Sequence, residues 1–372
     1  MTRTRTAIPT EPPPPPRPTP FAPLAVPASW AYRAVLRIRN RRYDSGQGVE
    51  RLDRPVISIG NITVGGTGKS PLVAWTAQAL LDAGSHPVIA MRGYKARKGE
   101  NSDEEQEYIE RFGERAPVVA TPDRAAALGA LFIDPSHVRR DCVILDDGFQ
   151  HRRLARDLDI VIVDATQHTF EDRVLPAGRL REPLNSLRRA DAIVVSRAHA
   201  VDSSLSHMVE RYHGRPPVAW TSHVWTALEL AGRETAAVDP DWLRGKRVVA
   251  MFGVGNPDPI EQQVRECGAS IRRRMPVRDH QHYTERFLNE EIRPACADRW
   301  IDALIVTPKD WVKLRSLLDW SRWPITVVIP RLQLDFIAGE DALRQRIIEA
   351  LADKDRTQTT VPADEEVTAP SP

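Results

Sequence analysis

The sequence has little cysteine and no long apolar run, and each shortage excludes a class of protein. Its 372 residues include only three cysteines, Cys142, Cys267 and Cys296. They are odd in number, far apart and without metal-ligand or redox spacing, so we expect buried reduced thiols rather than disulfides or a zinc site. No stretch approaches the roughly 20 apolar residues of a spanning helix, and no signal-peptide pattern opens the chain. These features favour a cytoplasmic protein.

The charge balance excludes a further class. The net charge is only +2, and no compact basic run lies among stacking aromatic residues. We therefore expect no nucleic-acid partner. No pattern implies an obligate protein partner either.

Proline, by contrast, is abundant and concentrated near the start of the chain. It dominates residues 9–27 and forms an unbroken run at 12–16. Such a segment adopts extended polyproline structure and cannot form a packed core. We expect residues 1–27 to be a disordered leader and the polar residues 353–372 to be a disordered tail.

Two blocks between these ends have the alternation typical of an α/β fold. From residue 46 to 215, short apolar runs alternate with helix-length segments, which predicts βαβ units and a mainly parallel sheet with helices on both faces. A smaller α/β domain is predicted over 246–352. A linker over 216–245 joins the two, and the alternating pattern at 217–230 predicts a hairpin there. The helical pattern at 341–351 could pack on either domain.

The strongest local pattern is a glycine-rich loop between a strand and a helix. Residues 56–59 have the pattern of a strand, residues 60–70 read GNITVGGTGKS, and a helical pattern follows. This order surrounds phosphate oxygens with backbone N–H groups, as in a P-loop of the nucleotide-triphosphate-binding type. Lys69 would reach the β- and γ-phosphates of ATP, and Ser70 would bind Mg²⁺. The strict pattern has glycine where Thr63 stands, but the remaining glycines keep the loop open. The residues expected to bind the nucleotide are Thr63, Val64, Gly65, Gly66, Thr67, Gly68, Lys69 and Ser70.

A second acidic group for the metal follows another apolar strand. Asp146 and Asp147 open the block DDGFQH at residues 146–151. In parallel sheets the carboxyl ends of the strands share one crevice, so both carboxylates are candidate Mg²⁺ ligands. Gln150 and His151 would point into the same crevice, beside the nucleotide.

Three blocks together resemble one known family. Residues 60–70, 146–151 and 175–183 (LPAGRLREP) closely resemble the motifs of the tetraacyldisaccharide 4'-kinases, and the resemblance spans roughly residues 30–350. It implies ATP-dependent phosphorylation of the 4'-hydroxyl of a tetraacylated glucosamine disaccharide 1-phosphate, a lipid A precursor. ATP and Mg²⁺ are the implied cofactors.

The resemblance also implies a catalytic base. In the family the base is an Asp in a short acidic block after an RGY motif, here residues 92–94, and Asp103 is the match. A His of the second domain would orient this carboxylate and favour its charged form. The block RDHQHY at 278–283 gives His280 that role, with His282 as a weaker alternative. A solvated acidic run or a helix N-terminal acid remains the other interpretation of Asp103.

The proline-flanked loop at 175–183 supplies the remaining implied residues. Arg181 would neutralise charge on the transferring phosphoryl group, and Glu182 would assist the metal. The chain departs from the family pattern at Lys95, which replaces glycine, in the acidic block SDEE at 102–105, and in the block TPKD at 307–310. These departures leave the P-loop chemistry untouched and affect the placement of the base and of the substrate loops.

A lipid substrate requires a way to the bilayer, and residues 28–45 offer an amphipathic helix. Five apolar residues share one face, and between residues 29 and 43 the charged residues are all arginines. We expect residues 29–43 to attach the protein peripherally to the inner, cytoplasmic membrane surface. Docking of the helix on the protein is the alternative, and the two can coexist. The apolar residues are Trp30, Ala31, Ala34, Val35 and Ile38, and the arginines are Arg33, Arg37, Arg39, Arg41 and Arg42.

Two other functions compete with a lipid kinase. One is a P-loop GTPase or metal-insertion ATPase in which residues 307–310 imitate a guanine-specificity loop, although that block lies in the second domain. The other is a non-catalytic module that binds ATP and a membrane partner. The glycines at 253–255 follow a strand but lack a third glycine at dinucleotide-site spacing, which favours a turn.

Overall fold

The computed structural model describes residues 22–93, 102–134, 140–232, 235–254, 257–278, 281–320 and 323–358. The strands are β1 (Val56–Asn61), β2 (Pro87–Met91), β3 (Val118–Ala120), β4 (Cys142–Asp146), β5 (Leu158–Asp164), β6 (Ala192–Ser196), β7 (Ala219–Ala231), β8 (Ala236–Val238), β9 (Arg247–Met251), β10 (Ser270–Met275), β11 (Ala303–Val306) and β12 (Thr326–Ala338).

The α-helices are α1 (Ala22–Asp44), α2 (Lys69–Asp82), α3 (Asp103–Phe112), α4 (Arg124–Ile133), α5 (Ser203–His213), α6 (Asp258–Glu266), α7 (Glu285–Phe287), α8 (Arg293–Cys296), α9 (Pro308–Leu314) and α10 (Glu340–Gln358). A π-helical turn, Leu288–Ile292, joins α7 to α8. The 3₁₀ turns are Gly113–Arg115, Leu184–Arg189 and Pro240–Leu243.

All the described strands belong to one sheet. Its order is β10-β9-β11-β12-β7-β6-β5-β1-β4-β2-β3, with β8 paired to β7. Every pairing is parallel except β7 with β12 and β7 with β8. The predicted α/β fold with a mainly parallel sheet is confirmed.

Helices cover both faces of the P-loop half of the sheet, which comprises strands β1 to β6. On one face, the alternate residues Ile57 and Ile59 of β1 share a buried cluster with Leu72 and Leu80 of α2. On the other face, Val56 packs with Leu128 of α4. Strands that are covered on both sides need nearly continuous apolar sequence, which is why β4 and β5 contain the apolar runs at 142–145 and 160–163.

A long antiparallel ribbon carries the sheet from one half to the other. β7 and β12 are each 13 residues long. The start of β7 pairs with β6 in the P-loop half. The start of β12 pairs with β11 in the second half, which comprises β9, β10 and β11. Residues 217–230 therefore belong mostly to one extended strand, whose hairpin partner is β8.

After β12 the chain returns to the P-loop half. The last part of the domain predicted over 246–352 therefore packs on the P-loop half. Phe336 of β12 packs against Trp75 of α2 with ring centroids 4.7 Å apart. Leu343 and Ile347 of α10 join the buried cluster around β1 and α2. The apolar face of α10 could not by itself indicate which half of the sheet it would cover.

Both predicted ends also differ from the structure where it describes them. Residues 22–27 are helical, and α1 contains Pro27. Proline has a helical φ and removes only one hydrogen bond here, while burial of Leu36 anchors the helix to the protein. α10 extends through Gln358 into the predicted tail. The rest of the leader and of the tail lies outside the described residues.

A close crossing at Gly60 sets the distance between the P-loop and the acidic block. A Cβ atom at Gly60 would lie 2.6 Å from both the backbone nitrogen and the Cβ of Phe149. Phe149 is fully buried, and Arg189 lies over its ring at 3.8 Å. Because a backbone atom is the obstacle, no side-chain rotation can make room for a methyl group.

We expect Gly60→Ala to lower the free energy of unfolding by about 1–3 kcal/mol, because the added methyl overpacks the crossing. Urea unfolding followed by circular dichroism measures this. Gly129→Ala in α4 is the matched control, since a Cβ there would meet nothing within 4 Å, and it should be neutral or stabilising by up to about 1 kcal/mol. Equal unfolding midpoints for Gly60→Ala and the wild type would contradict the crossing.

Candidate active site

The predicted P-loop lies between β1 and α2, as expected from the sequence pattern. Gly65 and Gly66 are exposed, and α2 begins at Lys69, so its free N–H groups face the same opening as the loop. Thr63 is 3% exposed and forms a β-bridge with Leu180. The non-glycine position of the pattern therefore lies in a strand-like pairing before the phosphate-binding turn.

Three polar side chains and backbone groups brace this loop. The Asn61 side chain donates to the Thr67 hydroxyl at 2.8 Å, and the Ser196 hydroxyl donates to the Thr67 carbonyl at 2.8 Å. The Val64 amide donates to the carbonyl of Arg179 at 2.8 Å. Sequence analysis missed Asn61 and Ser196, although Ser196 ends β6 at the edge of the sheet that carries the loop.

Asp147 is the anionic centre of the site. Its carboxylate accepts hydrogen bonds from Arg181 at 2.7 and 2.9 Å and lies 3.4 Å from the Lys69 ammonium. Burial would raise the pKa of Asp147, but the charges of Lys69 and Arg181 outweigh it and hold the pKa below its ordinary value. Asp147 has a φ of 53°, which turns the chain out of β4. The structure thus brings three predicted site residues together.

Asp146 lies deeper, at the end of β4. It is 4% exposed, and one oxygen accepts a hydrogen bond from the Tyr108 hydroxyl at 3.0 Å. Burial, and then the charge of Glu104, raises its pKa to about 6. Tyr108 also interacts with the Ser70 side chain. Tyr108 was missed because an aromatic residue on an amphipathic helix is indistinguishable from an ordinary core residue.

Gln150 and His151 follow Asp147 but have different surroundings. The Gln150 side chain donates to the Asn61 carbonyl at 2.9 Å and accepts from Arg181 at 3.2 Å, so it connects the P-loop to Arg181. Burial, followed by the charges of Arg124 and Arg156, lowers the pKa of His151 to about 4. His151 is therefore neutral at physiological pH.

Glu182 does not lie among the candidate metal ligands as predicted. It is fully buried, and its two oxygens accept hydrogen bonds from Arg189 at 2.8 and 2.9 Å and from Asn40 at 2.9 Å. Since both oxygens are taken, the carboxylate joins α1 to the loop at 175–183. A buried ion pair of this kind positions chain segments, and here Arg189 neutralises the charge of the carboxylate.

Asp103, the predicted base, is the first residue of α3. Ser102 caps the helix in a capping box with Glu105, which fixes where α3 begins. The backbone of Asp103 is described and its side chain is not. The neighbouring Glu104 raises the pKa of Asp146, so the first turn of α3 faces the acidic pair.

His280 lies outside the described residues, but the flanks of its loop are defined. The Arg278 amide donates to the Gln281 side chain at 3.0 Å, and the Gln281 amide donates to the Arg278 carbonyl at 3.0 Å. His282, the weaker alternative, is exposed. Arg278 and Gln281 are thus held to each other, and the role of His280 stays a prediction.

The block at 307–310 does not form a guanine-binding loop. Asp310 is 2% exposed, and its carboxylate accepts from the Gly253 amide, the Thr307 hydroxyl and the Tyr283 hydroxyl. A guanine-specificity aspartate needs a carboxylate that is free to accept from the base. This one is occupied within its own domain.

His223, on β7, was not predicted and lies against the P-loop. A Cβ at Gly68 would be 2.6 Å from its Cε1 and 2.8 Å from its Nε2. Burial, and then the charge of Arg197, lowers the pKa of His223 to about 3, so the ring is neutral. The alternation of the β7 sequence places residue 223 on a face but does not indicate what that face meets.

The donor set present suits a magnesium nucleotide. Among the described residues, no three His, Cys, Asp or Glu side chains group together to hold a metal. Magnesium in phosphoryl-transfer sites usually takes one or two carboxylates and completes its shell with phosphates and water. Asp146, Asp147 and the Ser70 hydroxyl are the oxygen donors that lie along this edge.

Comparison with known proteins identifies the family. Residues 21–352 match the LpxK family, described as tetraacyldisaccharide-1-P 4'-kinase. The tetraacyldisaccharide 4'-kinase of Geobacter sulfurreducens is 37% identical over 317 residues, which cover 80% of this chain and 85% of that protein. That of Bdellovibrio bacteriovorus is 32% identical over 307 residues, covering 79% and 89%. The crystal structure of LpxK from Aquifex aeolicus in complex with ATP is 27% identical, with a TM-score of 0.65, and the match covers 89% of this chain and 99% of that one. With the P-loop, the acidic turn and Arg181 converging on one edge of the sheet, the chain belongs to the tetraacyldisaccharide 4'-kinase family.

Proposed function

We propose that this protein is an ATP-dependent kinase that phosphorylates the 4'-hydroxyl of a tetraacyldisaccharide 1-phosphate, a precursor of lipid A. The observation that carries the proposal is the convergence of Lys69 and Arg181 on Asp147 beside an open P-loop. The Lys69 ammonium and the Arg181 guanidinium, both paired with Asp147, can bind phosphate oxygens instead when a nucleotide enters.

Each residue then has a defined task. Lys69 and the amides of residues 65–70 bind the β- and γ-phosphates, and Arg181 neutralises charge that develops on the transferring group. Ser70, Asp146 and Asp147 would hold Mg²⁺, which would neutralise charge on the phosphates. Glu182 has no place in this set because Arg189 and Asn40 occupy its oxygens.

A base must accept the proton of the sugar hydroxyl, and we assign this task to Asp103. A sugar hydroxyl is a weak nucleophile, so its proton passes to a carboxylate as the bond to phosphorus forms. Asp103 stands at the start of α3, whose Tyr108 contacts Asp146. His280 would orient the Asp103 carboxylate and favour its charged form.

Replacement of Asp103 tests this assignment. We expect Asp103→Asn to reduce transfer of radiolabelled γ-phosphate from ATP to tetraacyldisaccharide 1-phosphate in mixed micelles by about 10²–10⁴-fold, the usual contribution of a general base. Lys69→Ala should abolish transfer because it loses phosphate binding. Glu110→Gln on the exposed side of α3 is the control and should retain activity. Nucleotide hydrolysis by the wild type without any lipid product would overturn the lipid-kinase proposal.

Nucleotide-induced stabilisation tests the magnesium site without an activity assay. We expect Mg²⁺ with a non-hydrolysable ATP analogue to raise the melting temperature of the wild type, because a ligand that binds only the folded state stabilises it. Asp146→Asn should lose most of the Mg²⁺-dependent part of this shift. Asp141→Asn is the control and should keep the Mg²⁺-dependent shift, because Asp141 precedes β4 at the end opposite to Asp146. A full Mg²⁺-dependent shift in Asp146→Asn would exclude Asp146 as a ligand.

We also propose that α1 attaches the enzyme to the membrane surface. One side of the helix is docked: Leu36 is 5% exposed, the Tyr32 hydroxyl donates to the Arg181 carbonyl at 3.2 Å, and Arg39 donates to the Gln150 carbonyl. The other side remains open, with Trp30 65%, Val35 63% and Ile38 71% exposed. Docking thus leaves the apolar stripe facing solvent, which supports attachment of the same helix to a membrane.

The exposed stripe lies among arginines suited to anionic lipids. Arg33, Arg37 and Arg41 are exposed on the same helix. No helix among the described residues is long and apolar enough to cross a membrane. An interfacial helix with an apolar face and cationic flanks binds in the plane of the headgroups.

Sedimentation with anionic phospholipid vesicles tests the attachment. Replacement of Trp30, Val35 and Ile38 by serine should weaken vesicle binding by at least about tenfold, since each buried side chain contributes about 1.5–3 kcal/mol. Ile133→Ser is the control because Ile133 is equally apolar and 83% exposed but lies on α4. Unchanged vesicle binding by the triple variant would remove α1 as the attachment site.

A further inference from the structure

Two consecutive residues at the start of α9 face different halves of the molecule. α9 follows Thr307, whose side chain accepts from the Asp310 amide at 3.2 Å. Asp310 is directed into the second half, and Lys309 reaches across to α3 in the P-loop half. One turn of helix therefore connects the two sets of contacts.

Asp310 holds three segments of the second half together. Its carboxylate accepts from the Gly253 amide after β9 at 2.8 Å, from the Tyr283 hydroxyl at 2.7 Å and from the Thr307 hydroxyl at 2.7 Å. A Cβ at Gly253 would lie 2.5 Å from one Asp310 oxygen, so the carboxylate approaches the backbone only because residue 253 is glycine. Tyr283 ends the loop at 278–283, and its ring stacks on Phe287. Tyr283, three residues after His280, is thus tied to Asp310.

Lys309 makes the matching contact with the other half. Its ammonium lies 2.9 Å from the Glu104 carboxylate, next to Asp103 in the first turn of α3. Burial raises the pKa of Glu107, one turn further along α3, and the positive charge of Lys309 opposes this rise. Since Tyr108 of α3 contacts Asp146, the helix is held at the acidic pair and at Lys309.

We infer that Lys309 and Asp310 form a positioning pair for phosphoryl transfer. Asp310 holds Tyr283, three residues after His280, and Lys309 holds that unit against the helix turn that begins at Asp103. The inference rests on the proposed roles of Asp103 and His280. Neither Lys309 nor Asp310 is assigned a contact with substrate, and both act through the residues they position.

The pair should affect the rate more than the fold. Partly exposed ion pairs contribute little to stability, and the Lys309 and Glu104 side chains are 27% and 40% exposed. A small displacement of a catalytic group, in contrast, can cost about 10²-fold in rate. A loss of kcat without a loss of folding therefore distinguishes positioning from a structural role.

Steady-state kinetics of Lys309→Met test this. We expect kcat for lipid phosphorylation to fall by about 10–100-fold, with the KM for ATP within about twofold of the wild type, because nucleotide contacts are untouched. Lys309→Arg should retain most of the activity. The charge swap Lys309→Glu with Glu104→Lys should recover more activity than either single variant. Arg315→Met is the matched control, since Arg315 pairs with Glu110 across the same α3–α9 contact at 3.7 Å, away from Asp103.

Hydrogen–deuterium exchange supplies a readout independent of the reaction. Lys309→Met should speed exchange at the start of α3, and Tyr283→Phe should speed exchange in residues 276–283. Wild-type kcat together with wild-type exchange in Lys309→Met would overturn the pairing while leaving the kinase intact. Absence of lipid phosphorylation in the wild type would instead overturn the proposed function, and the exchange patterns would still decide whether the pairing exists.

Discussion

The register between β1 and β4 is the constraint on which the site depends. Ile59 lies opposite Asp146, so β1 continues into the P-loop where β4 turns at Asp147. Gly148 then donates its amide to the Ile59 carbonyl at 3.1 Å, which closes the acidic turn onto β1. A shift of one residue would turn the Asp146 side chain to the opposite face of the sheet. Burial of both faces of these strands opposes such a shift.

Neighbouring charges explain why Asp146 and Asp147 differ in pKa. Asp147 satisfies Lys69 and Arg181 at once, while Asp146 lies beyond their hydrogen bonds and has a raised pKa. The two adjacent carboxylates thus differ in pKa, because Asp147 has two cationic partners, whereas burial and the charge of Glu104 raise the pKa of Asp146. Divergent pKa values in a pair of neighbouring acids are a common feature of sites that handle charge. The arrangement keeps the P-loop lysine close to where phosphate oxygens would enter.

The sequence predicts the parts of this site that depend on local order along the chain. A strand, a glycine loop and a helix define the P-loop, and an apolar run followed by two aspartates defines the acidic turn, so Lys69 and Asp147 could be found without a structure. Contacts between distant segments gave no such pattern. Glu182 sits in a metal-like motif, yet its partner Asn40 lies 142 residues away. Tyr108 and His223 likewise depend on tertiary neighbours that neither periodicity nor spacing reveals.

Element boundaries differed for a related reason. Proline content alone favours disorder at residues 22–27. Docking through Leu36 stabilises α1, and extension of a helix that is already formed costs little free energy. The polar residues at 353–358 continue α10 because the helix is already nucleated by its packed turns. Local composition describes an isolated segment, whereas these two helices are stabilised by the surface they cover.

The continuous sheet also limits how the two halves can move. Because β7 and β12 pair antiparallel along most of their length, any displacement of the second half must bend or twist this ribbon. His223 on β7 contacts Gly68, and its carbonyl accepts from Gln263 of α6, so the ribbon also touches the P-loop on one side and the second half on the other. A displacement of the loop at Gly68 would therefore also displace His223 of β7. The ribbon of β7 and β12 is therefore the element that sets the position of the second half relative to the nucleotide-binding half.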